Sequence, residues 1–202
     1  MKRKCNEMER IVLSPLPVTL DREKLMELNH IPEDSDLAED FADLVAEAGK
    51  VLRCKTILLE AGEPVSFPLP AGAEPRWYYA MTVGREIDED EDCDYPYLGD
   101  VVRQAALDGA MAYTQDYLRR ELGMKSVSFV NPGVEGWEDK LINRDVALLT
   151  GAEEIGIRVD ERGNMTPWYS TVGILTEAYQ TPRRRGLSFT SGCAKLSEPE
   201  QV

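Results

Sequence analysis

Few residues of this 202-residue chain have types and spacings that do chemistry by themselves. His30 is the only histidine, so a catalytic triad has no other imidazole to use and a His-rich metal site has no ligands. Its setting, LMELNHIPED, is that of a helix end and a turn. Cys5, Cys54, Cys93 and Cys193 form no Cys-x-x-Cys pair, which leaves zinc and dithiol redox chemistry without a motif. Seven acidic residues crowd between Glu86 and Asp94. They lack the glycine and terminal glutamate spacing of a calcium loop, and a self-repelling run suits a solvated loop or a docking surface for a basic partner. The stretch of most interest is Asn131–Gly173. It holds an Asn131-Pro132-Gly133 loop, Trp137 just beyond, and the spacing Met-x-Pro-x-x-Ser-x-x-Gly formed by Met165, Pro167, Ser170 and Gly173. No nucleophile, metal cage or phosphate cradle is among them, and no catalytic or metal-ligating set is assigned. Their types suit tight turns and close backbone approach. Trp137 and Trp168 offer ring faces either to a planar ligand or to a core.

Composition narrows the classes. The net charge is −14 and the pI about 4.6, which argues against nucleic acid and anionic membrane surfaces as partners. Arg183-Arg184-Arg185 is an isolated basic run, expected to be solvated. The hydrophobic share of 43% is ordinary for a soluble globular chain. No apolar run approaches the ~20 residues of a membrane span. The N-terminus, MKRKCNEMER, has no apolar segment behind it, so we expect no signal peptide, a cytoplasmic location and reduced thiols.

The elements that must position the Asn131–Gly173 stretch follow from periodicity. We expect an N-terminal arm over 1–19 with an extended segment, a domain over 20–180, and a polar tail over 181–202. Leu20–Asn29 reads as a short helix capped by Asp21, and Ser35 caps a second helix with Leu37, Phe41, Leu44, Val45, Ala48 and Val51 at helical spacing. Cys54–Glu60 and Arg76–Val83 are strand-like, with a Pro- and Gly-rich loop over Pro64–Pro75 between them. Tyr97–Leu122 is the longest helix, its stripe running Leu98, Val102, Ala105, Ala106, Gly109, Tyr113, Tyr117, with Gly123 as its stop. Ser126–Val130 alternates like a strand. Trp137–Leu149 reads as a short helix, and Ile155–Val159, Met165–Pro167 and Ser170–Tyr179 as strands around an Asp160–Asn164 turn. Strands and helices in mixed order, without regular βαβ alternation, give an α+β fold: a bent, mostly antiparallel sheet flanked by helices.

This order of parts, from about Leu20 to Tyr179, resembles the activation (reactivation) domain of vitamin B12-dependent methionine synthase. The features that carry the resemblance are the LDREKLMELN segment, the strand ending in Thr82-Val83-Gly84, the Ala-rich helix, the Pro132-Gly133 loop with Trp137, and the Gly156–Gly173 ending. The resemblance implies a domain that binds S-adenosylmethionine in a shallow groove and presents its methyl group to cob(II)alamin on a partner, with an electron from a flavodoxin-type donor. It implies S-adenosylmethionine contacts at Phe129, Asn131, Pro132, Gly133, Val134 and Trp137. Two of these depart from the family, which has Arg at the place of Phe129 and Tyr at the place of Val134. The sequence shows no cobalamin-binding Asp-x-His-x-x-Gly motif and no zinc-cysteine homocysteine module, so we expect it to act with a partner and not as a complete methionine synthase by itself.

Three functions follow. The first is an accessory module of a corrinoid-dependent methyltransferase system that binds S-adenosylmethionine and supports reductive reactivation or remethylation of a partner corrinoid protein. The second is a non-catalytic module with this fold that docks on a corrinoid protein or methyltransferase without that ligand. The third is an independent small-molecule enzyme, against which the lone histidine and the lack of a paired-carboxylate motif count. Partner identity and oligomeric state are not encoded in any motif.

Overall fold

The computed structural model of the protein describes residues 8–62, 64–84 and 97–177. The acidic run, Cys5, Cys93, Cys193, Arg183–Arg185 and the expected tail lie outside these residues.

Strand β3 (Pro75–Thr82) is the centre of the molecule. From Trp77 onward every residue of it is buried, which is why its sequence, WYYAMT, is apolar without alternation. It pairs antiparallel with β2 (Lys55–Glu60) on one side and β7 (Ser170–Thr176) on the other. β1 (Arg10–Leu13) extends the β2 edge and β4 (Ser128–Val130) the β7 edge. The order is β1-β2-β3-β7-β4 with every pairing antiparallel, and β5 (Arg158–Val159) and β6 (Met165–Thr166) form a separate two-stranded hairpin. The extended stretch of the expected N-terminal arm is thus an edge strand of the main sheet.

Each face of the sheet has its own core. Ile57, Tyr78, Ala80, Val172 and Ile174 pack with Trp137 and with Ile142 and Val146 of helix α4 (Ile142–Thr150). Leu58, Tyr79, Met81 and Leu175 pack with Ala106, Ala110 and Leu118 of helix α3 (Tyr97–Glu121). A third cluster joins helices α1 (Arg22–Leu28) and α2 (Asp36–Val51) to the first turns of α3 through Met26, Phe41, Val45, Leu98 and Val102.

The caps read from sequence are in place. Asp21 Oδ1 accepts from the Lys24 amide at 3.1 Å, and Ser35 Oγ from the Ala38 amide at 3.3 Å. Gly151, at φ 71°, closes α4. Two expectations need correction. The buried line of α3 runs Leu98, Val102, Ala106, Ala110, Thr114, Leu118, while Ala105, Gly109, Tyr113 and Tyr117 are only half-buried. Close against the sheet there is room for Ala and Thr but not for a phenol ring. Thr114 is tolerated because its hydroxyl donates to Ala110 O at 2.8 Å. Second, α4 starts at Ile142 and not at Trp137, and Ala152–Ile155 is a 3-10 turn preceding the short β5.

Candidate binding loop at the sheet edge

The chain leaves β4 at Val130 and turns through Asn131–Trp137. Gly133 and Gly136 both sit at φ 87°, a conformation open to glycine at no steric cost. The Gly133 amide donates to Trp137 O at 2.7 Å and the Trp137 amide to Val134 O at 2.9 Å. This closes a small hairpin of its own. It ends at Trp137, a residue only 4% exposed, whose indole N–H donates to Pro68 O at 2.9 Å. Trp137 therefore ties the Pro64–Pro75 loop to this one.

Asn131 turns its side chain inward. Its amide nitrogen donates to Tyr79 Oη at 2.5 Å, to Val172 O at 3.2 Å and to Thr171 Oγ1. Tyr79 is fully buried, and desolvation pushes its phenol well above the ordinary value, so the hub is neutral at physiological pH. Phe129 lies edge-on to the Tyr79 ring, with centroids 5.0 Å apart and planes at 86°. A side chain packed this way brings apolar surface to the hub and no fork for a carboxylate. Pro132 is buried, whereas Gly133 and Val134 face solvent.

The Met-x-Pro-x-x-Ser-x-x-Gly residues hold the same region in shape. Met165 pairs with Val159 in the β5–β6 hairpin. Buried Ser170 donates to Thr82 Oγ1 at 2.8 Å. A Cβ on Gly173 would stand 2.2 Å from Val130 O and 3.1 Å from the Tyr79 ring, so glycine is what lets β4 lie beside β7. Lys140 borders the loop from the other side: its Cβ is 3.2 Å from where a Gly133 Cβ would be, and its ammonium donates to Asn164 Oδ1 at 3.2 Å. Asn164 belongs to the turn organised by Asp160. The Asp160 carboxyl is held below its usual range, chiefly by hydrogen bonds from Asn164. Trp168, between β6 and β7, is 73% exposed.

The structure thus brings Phe129 and Asn131–Trp137 together at one end of β4. Sequence spacing missed Tyr79, Thr171 and Lys140, the partners that fix the loop. Tyr79 and Asn131 become neighbours only through strand pairing, for which linear spacing carries no signal. Among the described residues no group of three His, Cys, Asp or Glu side chains is placed to hold a metal ion, and no helix is long and apolar enough to cross a membrane.

In class, the architecture is a mixed α+β domain built on an antiparallel sheet. In particular, it is the fold of the MetH reactivation domain, whose crystal structure was solved bound to AdoHcy. The two match with a TM-score of 0.55 over 85% of this chain and 79% of that chain, at 13% sequence identity. No protein-family model and no curated protein matches the sequence.

Proposed function

We propose that the protein is an accessory module of a corrinoid-dependent methyltransferase system, binding S-adenosylmethionine beside the Asn131–Trp137 loop and supporting reactivation or remethylation of cobalamin carried by a partner protein, with a flavodoxin-type donor as electron source. The observation that carries this reading is the fold shared with a reactivation domain solved bound to AdoHcy. The residues present fit the ligand in part. The exposed backbone at Gly133 and Val134 offers a shallow surface for the adenosyl end. Phe129 cannot hold the carboxylate, and in this proposal the Lys140 ammonium supplies the charge instead, as a point charge and not a bidentate clamp.

Calorimetric titration of the full chain with S-adenosylmethionine, with S-adenosylhomocysteine for comparison, tests this. Saturable binding in the micromolar range is expected, weakened roughly tenfold by Lys140→Gln, equivalent to about 1.4 kcal/mol. The absence of heat at millimolar ligand would overturn it.

The packing of Phe129 on Tyr79 favours a second reading, a module that docks on a corrinoid protein or methyltransferase without binding S-adenosylmethionine. Capture of a purified corrinoid protein by a chain that gives no heat with the nucleoside is its expected signature.

A further inference from the structure

We propose that the outer face of α4 pairs two copies of this chain about a two-fold axis. Between Leu141 and Leu148, the residues Leu141, Arg144, Asp145 and Leu148 are exposed, while Ile142, Asn143, Val146 and Ala147 are buried. The inner face is held by the sheet core and by Asn143, whose Nδ2 donates to Gly163 O at 2.9 Å. Leu141 caps the helix and already follows it, at φ −65° and ψ −23°. The four exposed residues fall on one stripe, because steps of three, four and seven residues return to the same side of a helix. Leu148 is 73% exposed and Leu141 52%. One exposed leucine is ordinary on a surface. Two on one stripe, with an open hollow of about 590 Å³ beside Leu148 edged by Met8, Pro64 and Val65, make an apolar strip that suits a protein partner.

The charges between the leucines select a second copy as that partner. When two such helices lie side by side and run the same way about a two-fold axis, positions on the mid-line meet their own kind. Leu141 then faces Leu141 of the second copy, and Leu148 faces Leu148. Residues that flank the mid-line on opposite sides meet crosswise, so Arg144 comes opposite the second copy's Asp145, and Asp145 opposite its Arg144. Both contacts join opposite charges. With one helix reversed, Arg144 would meet Arg144 and Asp145 would meet Asp145, which repel. Among the described residues neither Arg144 nor Asp145 has an ion-pair partner within its own chain. The net charge of −14 per chain opposes any pairing of copies. The covered leucines and the two ion pairs outweigh it once salt screens the long-range repulsion. This pairing goes beyond ligand binding at the Asn131–Trp137 loop and does not rest on it.

Sedimentation velocity of the full chain in ~0.15 M sodium chloride tests it. The sedimentation coefficient is expected to climb from monomer to dimer between about 1 μM and about 1 mM, the span of a micromolar-range pairing. Leu148→Glu, at an exposed position where substitution costs the fold little, should stay monomeric throughout. Arg144→Asp and Asp145→Arg, made singly, set like charges against each other and should each weaken the dimer about tenfold. The double variant R144D/D145R rebuilds both pairs in reverse and should return the dissociation constant to within about threefold of the natural one. A natural chain that stays monomeric over the whole range would overturn the proposal and leave the face to another occupant. So would a dimer that persists in L148E, or a double swap no tighter than the single ones. Circular dichroism checks that each variant keeps its helices, and the charge-swap series decides the matter even if L148E does not fold.

Discussion

Gly173 shows how much one missing side chain does. With a Cβ only 2.2 Å from Val130 O, Gly173→Ala must push β4 off β7 or twist Tyr79 out of its hub. We expect a loss of about 1–3 kcal/mol or more, typical of overpacking, read as a lower urea midpoint. The sequence marked this glycine as a point of close backbone approach but did not show what approaches it, because Val130 comes from another strand. Asn131 was legible as part of a turn, and its inward hydrogen bonds were not. Cys54 behaves similarly. Its position before a strand was readable, while burial, which pushes its thiol from 9.0 up to about 11, was not. In the unfolded chain this thiol ionises from about pH 9, whereas the folded chain keeps its proton to about pH 11. Its contribution is therefore complete below pH 9 and is lost as pH rises through 11. Urea midpoints at about pH 8 and about pH 10 should differ less in Cys54→Ala than in the natural protein.

At the level of elements, helices and strands were legible where local chemistry decides them. Ser35 caps α2 as its residue type requires, and Ser35→Ala should cost about 1 kcal/mol, measurable as a lower thermal midpoint with an unchanged fold. The strands around Tyr79 and Val172 were legible from their β-branched and aromatic content. Boundaries failed where a tertiary contact outweighs periodicity. Trp137 stands at helical spacing from Leu141, yet its indole N–H reaches Pro68 O, and Gly136 at φ 87° turns the chain before α4 begins. In α3 bulk misled: the tyrosines carry more apolar surface than Ala110 or Thr114, but the sheet lies too close for them.

Over the whole molecule, charge and strand order matter most. A net charge of −14 makes the compact state repel itself. Raising ionic strength from ~0.01 M to ~0.15 M screens this, so the melting temperature should rise with sodium chloride, and a preference for basic partners should weaken under the same conditions. The antiparallel, helix-flanked class of the sheet was legible from the mixed order of elements, but its strand order was not, since no local signal tells β3 that its partner is β7. That order has a consequence for biosynthesis. Tyr79 pairs with Gly173, and α3, β4, α4 and the β5–β6 hairpin all lie between them. A nascent chain emerging from the ribosome therefore carries β3 with one edge bare until β7 follows. The middle strand of the finished sheet is the one that waits longest for its neighbour, so translation completes the sheet at its centre and not at its rim.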